Sequence, residues 1–128
     1  MHNKIFSLLI FFSCFCSSAQ AQQSTHYIRI SKITVDTAVL NEYLLFLKEG
    51  IETAIKKEPG VVSMYAVAEK EHPNRITILE TYASRAAYEQ HIQTVHFMKY
   101  KAGTLKMVQF LELTDVSPIF FQSKKSSR

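Results

Sequence analysis

Apolar and polar positions repeat with two different periods along the chain, and the changes of period mark out its elements. Over residues 26–34, Tyr27, Arg29, Ser31 and Ile33 alternate with Ile28, Ile30 and Lys32, and β-branched residues are frequent, which predicts a strand. Asp36 or Thr37 offers a short side-chain oxygen to cap a helix. Leu40, Leu44, Leu47, Ile51 and Ile55 then recur at helical spacing, so a helix is expected over 38–58, stopped by Pro59-Gly60. Strands follow over 61–69 and 75–82, joined through a turn at Pro73-Asn74 as a hairpin. Ser84 caps a short helix through 92, Thr94 caps another over 95–107, and the last strand spans 109–115.

The order is βαββαβ, which is the ferredoxin-like, α+β plan of an antiparallel sheet with helices on one face. The other sheet face needs a cover, because strand two would leave either Tyr65 and Val67 or Val62 and Met64 in solvent. A symmetric homodimer, sheet on sheet, is the economical solution. Ile119, Phe120 and Phe121, after Pro118, are too apolar for a freely solvated end and are expected to pack on a neighbour such as a second subunit.

The first 21 residues read differently. Lys4 is their only charged residue, an apolar run follows at 5–15, and the stretch ends in Ala19-Gln20-Ala21. A basic start, a short apolar core and an A-x-A end predict a secretory signal peptide, and the run is too short for a membrane-spanning helix. Export to the periplasm or beyond is therefore expected. Lipoprotein anchoring through Cys14 is the alternative, weakened by Phe11 where such a site has a leucine-like residue. The organisation expected is a signal peptide at 1–21, a short linker at 22–25, one domain at 26–121 and a basic, Ser-rich tail at 122–128. Cleavage would remove Cys14 and Cys16, the only cysteines, so neither a disulfide nor a thiolate nucleophile remains. It would also remove one positive charge from a net charge of only +4, and the remaining basic residues are scattered apart from the tail. Nothing there forms a nucleic-acid face.

Four stretches carry a resemblance. Glu58-Pro59-Gly60 closes the first helix. His72-Pro73-Asn74-Arg75 makes the hairpin turn and leads into Ile76-Thr77-Ile78-Leu79-Glu80-Thr81-Tyr82. Thr94-Val95-His96-Phe97 opens the last helix, and Val116-Ser117-Pro118-Ile119 ends the domain. In this order the chain resembles the antibiotic-biosynthesis monooxygenase family over most of residues 26–121. The resemblance implies a dimeric α+β barrel. It also implies oxidation of a small phenolic or quinol-like aromatic with O₂, using no metal, flavin or other cofactor, because the substrate anion supplies the electrons. Such a site must hold an aromatic in a dry pocket, help remove a proton and stabilise the anion.

His96 is the first candidate for that work. It sits near a helix N-terminus, which favours a neutral ring, and it matches the family's T-x-H-F histidine; the alternative is a histidine that merely ties helix to strand. Glu80 shares a strand face with Ile78 and Tyr82, and a carboxylate among such neighbours is either partnered or perturbed; His96 is the expected partner, against a simple salt bridge. Tyr82 and Tyr65 could stack on a substrate ring, or serve as core or interface residues. Arg29 could hold an anionic oxygen, or pair with Glu80 or with a partner subunit. His26, His72, His91 and His96 have no i,i+4 or His-x-His spacing, so a zinc site gains no support from spacing. Haem-degrading relatives of this fold use an Asn, a Trp and a His. Here no Trp exists, Tyr82 stands at the tryptophan position and Lys101 at the histidine position, which disfavours haem degradation. The rival reading is a non-catalytic dimer of the same fold that binds a small molecule or serves a stress response, since one fold hosts many functions.

Overall fold

The computed structural model describes residues 26–124, so the expected signal peptide, the Cys14 anchor and the last four tail residues lie outside the described residues. Four strands, β1 (Tyr27–Val35), β2 (Val61–Ala68), β3 (Arg75–Tyr82) and β4 (Val108–Val116), form one sheet in the order β2-β3-β1-β4, with every neighbouring pair antiparallel. Three helices, α1 (Leu40–Lys57), α2 (Arg85–His91) and α3 (Val95–Thr104), pack on one face, and the βαββαβ order is the one the periodicities predict. No helix among the described residues is long and apolar enough to cross a membrane.

The helix boundaries follow local chemistry. Asp36 accepts a hydrogen bond from the Ala38 N–H, but the turn it caps is a short 3₁₀ segment, Thr37–Val39, that leads into α1. Ser84 accepts from Ala87 N–H and Thr94 from Phe97 N–H, so both expected caps are in place. The buried line of α1 is Tyr43, Leu47 and Ala54, with Leu40, Phe46 and Ile51 partly covered. Leu44 and Ile55, counted by spacing in the apolar stripe, are half-exposed instead, because the tyrosine at 43 and the small alanine at 54 take the inward positions.

The sheet's inner face carries Ser31, Ile33 and Val35 from β1 and Ile76, Ile78 and Tyr82 from β3, all buried. β2 contributes Val61 and Met64 to the same face although they lie three apart. The register shifts between Val61 and Ser63, so Val62 is an extra residue in the ladder and resets the alternation. Tyr65 and Val67 consequently face away, with Leu79 of β3 beside them, all well exposed. Of the two alternatives for strand two, the open face takes the Tyr65–Val67 set.

Two glycines respond in opposite ways to an added methyl group. A Cβ on Gly60 would lie 2.6 Å from the Cβ of Ala87, where the start of β2 presses on α2, and neither atom can rotate away. Gly50, inside α1, would meet nothing nearer than 3.7 Å. Gly60→Ala is expected to destabilise the fold by about 1–3 kcal/mol through overpacking. Gly50→Ala is expected to stabilise it by up to about 1 kcal/mol through helix propensity. Urea denaturation of the two variants beside the parent checks both signs, and equal effects would contradict the packing described.

Candidate functional site

A cavity of about 110 Å³ lies between the sheet's inner face and the three helices. Arg29, Ser31, Met64, Ile78, Glu80 and Tyr82 form its floor. Gly50 and Ile51 of α1 contribute to the wall, with Tyr88 and His91 of α2 and His96, Phe97, Tyr100 and Lys101 of α3. The floor residues come together because strand positions two apart share a face and the β1–β3 register sets Arg29 opposite Glu80 and Ser31 opposite Ile78.

Glu80 is held inside this floor. Ser31 donates to its Oε1 at 2.9 Å and Tyr82 donates to its Oε2 at 2.9 Å. Burial pushes the Tyr82 hydroxyl far above its ordinary range, and the Glu80 carboxylate beside it pushes the same way, so Tyr82 stays a protonated donor. The hydroxyl of Tyr100, elsewhere on the wall, lies 2.6 Å from that of Tyr43 in the core behind it, and burial raises both.

His96 does not partner Glu80, as the strand pattern suggested. Its Nε2 lies 2.6 Å from Oε2 of Glu58, and Nδ1 of His91 lies 2.8 Å from that same oxygen. Glu58 follows the last residue of α1, His91 ends α2 and His96 is the second residue of α3, so three helix ends meet at one carboxylate. A carboxylate oxygen accepts, so each ring directs an N–H at it. In a neutral ring that leaves His96 Nδ1 and His91 Nε2 as the nitrogens able to take a proton. The imidazole of His91 also packs 5.0 Å from the Phe97 ring and 5.4 Å from Tyr82, centroid to centroid.

Arg29 also has a partner other than Glu80. Its Nε and Nη2 donate to Oδ1 of Asp115 at 2.9 and 2.8 Å, and Nη1 donates to the Tyr88 hydroxyl at 2.5 Å. Cross-strand register explains the choice, since Arg29 faces Asp115 on β4 while Glu80 is already taken by two hydroxyls. Burial works against the guanidinium charge, but the hydrogen bond to Asp115 together with the charge interactions with Tyr88, Tyr27 and Asp115 leaves it held above its ordinary value. The guanidinium also lies over the Tyr88 ring, 4.3 Å from its centroid.

Four of the five residues singled out by sequence, His96, Glu80, Tyr82 and Arg29, thus line one cavity. Tyr65 does not. Its strand position points it through the opposite face, where it is 68% exposed, so a stacking role in this cavity is ruled out for it. Glu58, His91, Tyr88 and Asp115 belong to the arrangement and were not picked out. The signal was present for two of them: Glu58 stands in the E-P-G stretch, and His91 was set aside because its spacing to His96 fits no helical motif.

The family model for antibiotic biosynthesis monooxygenase matches residues 26–103. The chain belongs to the antibiotic biosynthesis monooxygenase family. A crystal structure from Bacteroides thetaiotaomicron, provisionally assigned as such a monooxygenase, is similar at 53% identity, covering 78% of this chain and 97% of that one, with a TM-score of 0.76. A provisionally assigned monooxygenase from Lactobacillus acidophilus is 27% identical over 73% of this chain, with a TM-score of 0.70, and the match spans only 44% of that longer protein. A Nitrosomonas europaea protein with the same provisional assignment as the Bacteroides one shares the fold at 18% identity, covering 77% of this chain and 94% of that one, with a TM-score of 0.71. No curated protein matches the chain.

In this family member the Arg29–Asp115 pair has a pH signature. Hydrogen bonds from Tyr27 and Arg29 hold the Asp115 carboxyl below its usual value. A depressed folded-state value contributes stability above the unfolded value, near 4, and loses it as pH falls through the folded one. The melting temperature of the parent is therefore expected to exceed that of Asp115→Asn at pH 7, with the gap closing as the pH falls below about 4. A gap that stays constant with pH would contradict the pairing.

Proposed function

We propose that the chain oxidises a single-ring phenol or hydroquinone with O₂ inside this cavity. The observation that supports the reading most is the convergence of His96, Glu80 and Tyr82 on one cavity beside the His91–Glu58 contact. Size favours one ring, because a cavity of about 150 Å³ accepts benzene and this one, about 110 Å³ and open on one side, is of the same order.

In the proposed reaction Glu58 fixes the tautomer of His96, and the free Nδ1 takes the phenolic proton. The substrate anion passes one electron to O₂, and the resulting radical pair joins as a carbon–peroxide bond. Loss of water then leaves the oxidised ring. For a hydroquinone the balance is one hydroquinone and one O₂ giving one hydroxyquinone and one water, with one oxygen atom retained in each product. Hydroxyls of Ser31 and Tyr82, anchored on Glu80, flank the ring, and Arg29 offers a positive charge for the anionic oxygen. No further cofactor is needed in this scheme. The leader-like residues 1–21 motivate placing the activity outside the cytoplasm.

Oxygen uptake with a panel of hydroquinones, catechols and anthrones tests the proposal. Turnover is expected for one-ring substrates, falling by about 10²–10⁴-fold in His96→Ala, the range general-base removal produces. Uptake that survives both His96→Ala and Glu80→Gln unchanged would remove the site assignment. Tight binding of a ring that persists unoxidised in the presence of O₂ would favour a non-catalytic binding protein.

A homodimer through the open sheet face belongs to the same proposal. Tyr65, Val67, Leu79 and Phe110 are exposed there in the single chain, and Ile119, Phe120 and Phe121 extend beyond β4 with their side chains uncovered. Apolar surface of this kind marks an interface. Leu79→Arg is expected to convert a dimer to a monomer in light scattering, while leaving the cavity on the other face able to bind. A parent chain that is monomeric at high concentration would contradict this.

A further inference from the structure

We propose that Glu58, His91 and His96 form a binding site for a divalent transition-metal ion, with zinc as its simplest occupant. The inference does not rest on the quinol reading, because a cation would be held whether or not the cavity turns over a substrate.

The ligand set is two imidazoles and one carboxylate, donors suited to zinc and its first-row neighbours. Their candidate ligand atoms lie within 4.8 Å of one another. The two O···N contacts are 2.6 and 2.8 Å, so the ring nitrogens already surround one carboxylate oxygen, and all three separations adjust when an ion enters. Around a tetrahedral zinc with bonds of about 2.0–2.1 Å, ligand atoms stand roughly 3.3 Å apart. The ion would enter by lengthening the two O···N contacts by about 0.5–0.7 Å and drawing the ring nitrogens together by at most about 1.5 Å, to the tetrahedral spacing. The side chains of Glu58, His91 and His96 are only 12%, 9% and 17% exposed, so little water competes for the position. His91 and His96 both line the cavity, which leaves room on that side for the water or ligand that completes a three-ligand site.

Histidine spacing hid this arrangement. The five-residue interval between His91 and His96 spans the break between α2 and α3, and the third ligand comes from α1, 33 positions before His91. A metal bound at His96 Nε2 would force the ring's remaining proton onto Nδ1. The nitrogen that serves as base in the proposed reaction would then have no lone pair to offer. Zinc is therefore expected to inhibit any quinol-dependent oxygen uptake while raising the melting temperature.

The test is a titration of the chelator-stripped chain with Zn²⁺ and Co²⁺, read by calorimetry, by cobalt visible absorption and by imidazole ¹⁵N shifts in the unmutated chain. One equivalent is expected, with the intense visible bands of low-coordinate cobalt and shifts at His91 Nδ1 and His96 Nε2. Affinity is expected to fall in Glu58→Gln and in His91→Gln by more than the roughly 10–100-fold seen when an outer-shell partner of a metal is removed, and to stay unchanged in His72→Gln. Absence of saturable binding would overturn the proposal. So would ring shifts confined to His26 and His72, a readout that stands even where a cluster variant fails to fold. Zinc that binds at the cluster without affecting oxygen uptake would keep the metal site and remove His96 from the base role.

Discussion

Three helix ends in this fold are tied by a single oxygen atom. Oε2 of Glu58 meets both His91 and His96, so the end of α1, the end of α2 and the first turn of α3 are fixed relative to one another at one largely buried point. A buried carboxylate with no partner would carry a large desolvation cost, and two N–H groups offset it. The helices cannot slide independently without breaking one of these contacts. The side of the cavity made by His91, His96 and Phe97 inherits its shape from that constraint.

The sheet imposes the second constraint, and it divides labour between two faces. Alternation along β1 and β3 sends Arg29, Ser31, Glu80 and Tyr82 toward the helices and Leu79 toward the open face. The extra residue at Val62 makes β2 conform, bringing both Val61 and Met64 inward. The cavity and the exposed Tyr65, Val67 and Leu79 are thereby separated by the thickness of one sheet. Among the described residues no buried side-chain polar atom lacks a hydrogen-bond partner, as expected where each inward hydroxyl has a carboxylate, a carbonyl or another hydroxyl in reach.

This division explains what could be read from the residues alone. The elements were legible because each has a strong local signal: alternation for the strands, Ser84 and Thr94 as caps, Pro59-Gly60 as a stop. That Glu80 and Tyr82 share a face followed from strand geometry, and the cavity bears it out. Pairings between elements were not legible. A carboxylate among apolar neighbours needs a partner and His96 is the candidate the residues offer, whereas the register of β1 and β3 puts Ser31 within reach of Glu80 and His96 meets a carboxylate from another helix end. The face of Tyr65 depended on a bulge that no local pattern announces, and the same bulge decided between the two sets of exposed residues. Glu58 stands in a helix-ending E-P-G stretch, and its contact with two histidines exists only once three separate segments have folded together.

The cluster and the cavity then bear on each other through tautomers. With both rings donating to Glu58, the protein sets which nitrogen of each imidazole can accept a proton, and it does so from outside the cavity lining. Glu58 is thus a positioning residue: it does not border the cavity, yet it determines whether His96 meets a ligand there as an acceptor or as a donor. A metal ion bound at Nε2 in the proposed site would turn that acceptor into a donor.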